Sequence, residues 1–313
     1  MAVTRLGFVD YRLDNYHAEV YLKALRGPLA ARGYEVVGAT SLEQEISRQW
    51  ADERQLPYFD SVESLASNVD GFIILAPSNP ELHLAMCQTT LPIGKPTFVD
   101  KTFAPDEQTA RAIFALADAC EVPIQTTSAL RSTAVQSFIQ DLPSPVQSMT
   151  VFCSGTSFDE YGIHPVELAV SCMGHDAKRI MRVGPERHPQ WLIQFSGNRT
   201  AIIDFNPEIE IPFSAIVSTQ QGHDQIEVDG SKLFLDAAAS ILDFFDEGRT
   251  LVDRRESLMV RRILDVAMSD DARDAFVSLQ SAGGVGVKLA APHWDRDHSV
   301  NQSTFEPTSR VRR

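Results

Sequence analysis

The run "VDGFIILAPS", residues 69–78, constrains the fold more than any other stretch of this chain. It is nearly continuous apolar and lacks the polar alternation of a half-solvated strand, as a strand covered on both faces must. Such a strand needs helices on either side of its sheet, and the surrounding sequence supplies them. "RLGFVDY" reads as a strand, "NYHAEVYLKALRGPLAARG" as a helix ending near Gly33, "YEVVGAT" as a second strand, and "SLEQEISRQWADERQ" as a helix with Ser41 as its N-cap. A small unit in "LPYFDSVESLAS" precedes the apolar run. "NPELHLAMCQTTL" follows it as a helix, then "PTFVDKT" as a strand. Pro105 opens the next helix, "PDEQTARAIFALADAC", with acids in its first turn where the helix dipole favours them, and "VPIQTTSA" closes the series. This alternation predicts βαβ units around a parallel sheet of the Rossmann type.

After about Ser128 the rhythm changes. "VQSMTVFCSG", "RIMRVG", "QWLIQFSG", "TAIIDFN", "SAIVSTQQG" and "QIEVDG" are strands in close succession, separated by Gly and Asn turns. One helix, "DEYGIHPVELAVSCMG", interrupts them early, and two more, "FLDAAASILDFFDEG" and "RRESLMVRRILDVAM", follow. The expectation is α/β overall: a Rossmann-type domain over 1–128, an α+β domain with a largely antiparallel open sheet over 129–281, and a tail over 282–313 without periodicity. A chain of 313 residues has room for two such cores.

Bulk charge narrows the partners. A formal net charge of −14 opposes binding to nucleic acid or an anionic membrane surface. Cys87, Cys120, Cys153 and Cys172 form no C-x-x-C pair and read as reduced core thiols. The N-terminus reads as a strand rather than a signal peptide, and no apolar run is long enough to span a bilayer, so a cytoplasmic protein is expected.

In open parallel sheets, ligands gather at the carboxyl ends of the strands. Lys101, in "VDKT", lies at such an end, where a desolvated amine has its pKa drawn toward neutrality and serves as an acid or base. The second constellation is "DEYGIHPVE". Glu160 and His164 are four apart and share one face of a helix; a carboxylate beside an imidazole holds its tautomer and raises its basicity. Glu167 follows three residues later, but two carboxylates and one His at this spacing are a weak metal signal, and no metal is expected. His83 follows "PSNPEL" near the same strand ends. His175, His188, His223, His293 and His298 are isolated, and "GGVGV" at Gly283 lacks the strand–helix context of a phosphate loop.

The order of a strand, "APSNPELH", "DKTFAP" and "GIHPVELA" resembles the glucose–fructose oxidoreductase, inositol dehydrogenase and MocA-like (Gfo/Idh/MocA) family, from about residue 4 to residue 280. The resemblance implies a Rossmann domain followed by an α+β domain whose open sheet mediates homo-oligomerisation, with NAD or NADP as cofactor. The family's E-K-P lysine corresponds to Lys101, with Asp100 for the usual Glu and Thr102 for the usual Pro. Its D-x-x-x-H pair corresponds to Glu160 and His164, and its T-P-N-x-x-H turn is similar to "APSNPELH". Lys101, Glu160 and His164 are then the proton-transfer centre. Cofactor contacts fall on Asp10, Tyr11, Arg12, Leu13, Ala76, Pro77, Ser78, Asn79, His83 and Lys101, and substrate contacts on Arg131, Tyr161, His164 and Trp191.

The departure is at the first turn. Where members carry G-x-G-x-x-G or G-x-G-x-x-A, this chain has "GFVDYRLDNYH", with Asp10, Arg12 and Asn15 in place of glycines and His17 at the position of a frequent family His. Glycines there permit a tight turn and let backbone N–H groups approach the diphosphate. Arg12 offers a different means of binding phosphate. The usual acid at the end of the second strand is missing from "VVGATSLEQ"; Thr40 and Ser41 would tolerate a 2′-phosphate, with Arg48 the nearest arginine. The resemblance implies an NAD(P)-dependent oxidoreductase acting on a hydroxyl or carbonyl of a sugar, polyol or related compound. The lost glycines leave open a redox-silent acid–base enzyme (lyase, isomerase or hydrolase) or a ligand-sensing protein on the same fold.

Overall fold

The computed structural model describes residues 3–280. The tail beyond and its "GGVGV" lie outside the described residues. Strand β1 (Thr4–Asp10) leads through α1 (Tyr16–Arg26) to β2 (Tyr34–Ser41), α2 (Gln44–Glu53) and the short α3 (Val62–Ala66). Next come β3 (Gly71–Ile74), α4 (His83–Thr90), β4 (Thr97–Val99), α5 (Glu107–Ala119) and β5 (Ile124–Thr126). These strands form one parallel sheet in the order β2-β1-β3-β4-β5. All four residues of β3 are buried, as a strand covered on both faces must be.

Helix α6 (Ala134–Gln140) leads into β6 (Ser148–Ser154), α7 (Phe158–Tyr161) and α8 (Ile163–Met173). Then follow β7 (Ala177–Val183), β8 (Gln190–Phe195), β9 (Thr200–Asn206), β10 (Ser214–Ser218), β11 (His223–Glu227), α9 (Leu233–Glu247), α10 (Arg254–Ala267) and β12 (Val277–Ser278). The second sheet runs β11-β10-β6-β9-β8-β7-β12 and is antiparallel except for the β6–β9 pair. Alternate residues of β6, β8, β9 and β10 are buried, including Met149, Val151, Trp191, Ile193, Ala201, Ile203, Ala215 and Val217. They share a core with Val166, Val170, Ile263 and Ala267 of α8 and α10. Period-two burial is what a sheet covered on one face requires.

Three local expectations are corrected. Ser41 ends β2 rather than capping α2; its hydroxyl donates to Glu43 O (3.1 Å). Pro105 stands outside α5, whose cap is Asp106, accepting from the Thr109 N–H at 2.7 Å. The helix read over "DEYGIHPVELAVSCMG" is two, meeting at Gly162, where a Cβ would stand 2.4 Å from the Phe158 carbonyl oxygen. Helix α9 follows the second sheet in the chain, yet Ala237, Ile241, Leu242 and Phe244 complete the first sheet's core with Ala18, Leu22 and Leu25 of α1. The return is pinned to β5 by Thr250, whose hydroxyl donates to Ile124 O (2.9 Å), and by the Leu251 N–H, which donates to Gln125 Oε1 (2.8 Å).

Candidate functional site

The carboxyl ends of β1, β3 and β4 converge. After β4, Asp100 is fully buried and its N–H donates to Ile74 O at 2.8 Å, continuing the ladder one residue past the strand. Its Oδ1 accepts the Lys101 N–H at 2.9 Å, and its Oδ2 lies 2.5 Å from Nδ1 of His17, which the second residue of α1 turns inward. Lys101 follows, with Nζ making one long hydrogen bond to Pro77 O at 3.4 Å. Burial lowers the pKa of its amine; the charges of Asp100 and Glu160 oppose that shift.

His164, in the first turn of α8, lies between the rings of Tyr161 and Phe213, each 6.2 Å away. Its Nδ1 is buried without a hydrogen-bond partner, which is costly unless something else occupies the space. Burial pushes this imidazole well below its ordinary pKa, and the nearby charges of Lys101 and His17 push the same way. Glu160 is exposed on α7, bonded to the Thr156 hydroxyl at 2.9 Å, and reaches Lys101 through its charge rather than His164 through a shared helix face. Tyr161 is half-buried, its phenol raised by burial and by Glu160. It crosses Gly155, where a Cβ would stand 2.5 Å from the tyrosine Cγ, so only glycine admits this approach. Lys101, Glu160, Tyr161 and His164 are thus brought together. His17 and Asp100 join them; the sequence signals were the His after the first turn and the acid of "DKT".

The first turn is organised differently. Asp10 is buried and faces inward: Oδ1 accepts the Arg12 N–H (3.3 Å) and the Ala76 N–H (2.9 Å), and Oδ2 accepts from the Asn15 amide (2.8 Å). Burial raises its pKa to about 7 despite these hydrogen bonds. It ties the turn after β1 to Ala76, which adopts a left-handed φ of 50°. Arg12 is held by Asp14, with Nη2 2.8 Å from Asp14 Oδ2. Leu13 is a core residue with no exposure, and Tyr11 donates to Glu43 at 3.4 Å. Pro77, Ser78 and Asn79 remain at the surface of the crevice. His83 does not: it is fully buried, with Nε2 2.7 Å from Leu75 O and Nδ1 3.1 Å from Phe103 O, strapping two loops together. Arg48 stacks on Tyr58 and pairs with Asp60.

Of the expected substrate contacts, Trp191 lies inside the protein and Arg131 is half-buried. Trp191 is 1% exposed, stacked on Phe158 at 3.6 Å, and its indole N–H donates to Ala267 O at 2.8 Å. Its alternation in β8 turns it toward the core rather than outward. Arg131 bridges Glu256 and Glu167, the latter at 3.8 Å. Glu167 accepts the Ser128 N–H at 2.6 Å, and burial raises its pKa to about 7. Lys101, Thr126, Ile163, Glu167 and Leu264 line one small cavity behind the crevice.

Residues 15–128 match a family model described as an oxidoreductase family with an NAD-binding Rossmann fold. The match begins after the glycine-free turn. The fold is that of several solved structures. A gentamicin A biosynthesis protein in complex with NAD superposes with a TM-score of 0.75 at 11% identity, over 90% of this chain and 97% of that one. Scyllo-inositol dehydrogenase from Lactobacillus casei, with bound NAD(H) and scyllo-inositol, gives a TM-score of 0.74 at 11% identity, over 89% and 100%. A dehydrogenase from Clostridium difficile gives 0.68 at 15% identity, over 85% and 98%. Among curated proteins none matches this sequence. No helix among the described residues is long and apolar enough to cross a membrane.

Proposed function

We propose that the protein is an NAD(P)-dependent oxidoreductase of the Gfo/Idh/MocA family, whose model residues 15–128 match, acting on a hydroxyl or carbonyl of a sugar, polyol or related compound. One observation carries the reading: a half-buried amine, Lys101, at a strand end near His164, whose buried Nδ1 has no hydrogen-bond partner. An orphaned donor–acceptor next to a desolvated amine suits a ligand hydroxyl.

The residues fit a nicotinamide at this end of the crevice, beside Lys101 and the Pro77–Asn79 turn. At the diphosphate end the fit rests on Arg12, because residues 8–26 contain no glycine and Asp10 is committed inward. A bound nicotinamide supplies the hydride acceptor or donor. The chain does the rest: Lys101, neutral in a larger fraction than a solvated lysine, takes the hydroxyl proton at Nζ; His164, kept neutral by burial, orients the hydroxyl through Nδ1; Glu160 balances charge at the mouth. Calorimetric titration with NAD⁺, NADH, NADP⁺ and NADPH tests the cofactor. Micromolar binding of one supports the reading, and no binding at millimolar concentration removes it.

The glycine-free turn favours a second reading, a redox-silent lyase, isomerase or hydrolase using the same amine and imidazole. Turnover of a sugar without dinucleotide, abolished in Lys101→Ala, would establish it. For assembly, the outer face of the second sheet carries Ile216, Thr150, Ile202, Leu192 and Met181 in one cross-strand row, each half-buried. This mainly apolar row is the surface we assign to homo-oligomer formation; light scattering of Ile202→Lys against the parent tests it.

A further inference from the structure

The buried pair formed by His17 and Asp100 has no part in the proton transfer described above, although Asp100 accepts the Lys101 backbone N–H and the charge of His17 reaches His164. Asp100 is fully enclosed, His17 is 8% exposed, and their contact of 2.5 Å joins two elements 83 residues apart. A buried carboxylate on Nδ1 of an imidazole fixes the Nδ1–H tautomer and leaves Nε2 as the acceptor, and it stabilises the imidazolium once Nε2 takes a proton. The rings of Tyr16, Tyr21 and Phe234 wall this imidazole at 6.4, 5.8 and 5.2 Å, which restricts its rotation.

We propose that His17, oriented by Asp100, is the proton store of this site: the proton that Lys101 takes from the substrate hydroxyl passes to Nε2 of His17 and leaves from there to solvent. The inference deepens the oxidoreductase reading and rests on it. In the oxidation direction a bound nicotinamide would accept the substrate C–H hydrogen with its electron pair, and the O–H bond breaks. Its electron pair forms the carbonyl, the proton moves from Lys101 Nζ to His17 Nε2, and Asp100 carries the balancing negative charge. The other side chains near the pair serve less well. His164 is driven neutral by its burial, His83 has both nitrogens against carbonyl oxygens, and Tyr21 is a buried phenol whose pKa is raised well above its ordinary value. Lys101 has no buried carboxylate on its amine, since Asp100 accepts only its backbone N–H.

Nitrogen-15 NMR of the histidine side chains in the ligand-free protein tests this without turnover. At pH 8 the His17 signal is expected to show a protonated Nδ1 and a bare Nε2. Asp100→Ala removes the carboxylate that holds this proton, and an Nε2–H tautomer is expected to appear in that variant. A proton on Nε2 at pH 8 in the parent, or an Nδ1–H tautomer unchanged in Asp100→Ala, overturns the proposal. With NAD⁺ and scyllo-inositol as probe substrates, His17→Gln is expected to lower kcat by ~10²-fold with KM unchanged. An unchanged kcat, or a change confined to melting temperature, overturns it equally. A protein that binds no dinucleotide yet shows the Nδ1–H tautomer and its dependence on Asp100 sinks the oxidoreductase reading and leaves the orientation of His17 standing. A reversed tautomer in a protein that binds NAD⁺ sinks the proton store alone.

Discussion

Two histidines near this site behave in opposite ways. His83 has a carbonyl oxygen against each ring nitrogen and no exposure. His164 has a buried Nδ1 with nothing to bond. The contrast extends to their surroundings: the β1 and β3 turns are wired into the protein through Asp10, Ala76, Asn15 and His83, whereas Lys101 and His164 are left short of partners. A satisfied buried polar group contributes to the fold; an unsatisfied one costs roughly 1–3 kcal/mol and is retained where a ligand completes it. Sequence position alone treats the two histidines alike, since both follow a strand end.

The comparison is most exposed to failure at Lys101. Lys101→Ala is expected to lower turnover by ~10²–10⁴-fold, with little change in melting temperature, because Nζ makes a single 3.4 Å hydrogen bond. A large loss of stability with activity retained would place Lys101 with the satisfied groups. His83→Ala should do the reverse. It removes the ring's N–H from a buried carbonyl and opens a cavity, for an expected loss of about 2–5 kcal/mol in denaturant melts. The specific activity of the folded fraction should stay close to that of the parent. His164→Phe removes the orphan nitrogen at similar volume, so activity should fall while stability is equal to or above the parent's; thermal melts beside rate measurements check both.

A smaller effect concerns pH. Burial holds Glu167 at about 7, above its ordinary value of 4.5. Between those values the folded state keeps a proton the unfolded chain has released, so this stability is present below about pH 4.5 and is lost as pH rises through about 7. Asp10, raised to about 7 from 3.8, adds a contribution of the same sign. Glu167→Gln should therefore flatten, without abolishing, the decline of stability across this window. An unchanged slope would mean that the Arg131 charge holds Glu167 ionised.

Much of the architecture was legible in short runs of residues. "FIILA" could only be a strand covered on both faces, and the alternation in "MTVFC", "WLIQF" and "AIIDF" could only be a half-covered sheet, because burial period follows from backbone geometry. Lys101 and the loss of turn glycines were equally plain. Other features were not local. The local pattern around Trp191 does not show which face of β8 is covered, and nothing in "DEYGIH" shows the break at Gly162 that separates Glu160 from the helix of His164. The return of α9 to the first sheet also had no local signature.

By itself, then, the sequence determined the two kinds of sheet, the strand-end lysine and the absence of a glycine-lined diphosphate turn, all of which depend on neighbours within a few residues. The tertiary structure decided which polar groups are spoken for. Asp10 meets Ala76 across 66 residues and His17 meets Asp100 across 83. Whether a carboxylate stabilises a turn, orients an imidazole or repels a ligand depends on the donors that folding brings within three ångströms, and no local pattern encodes that choice.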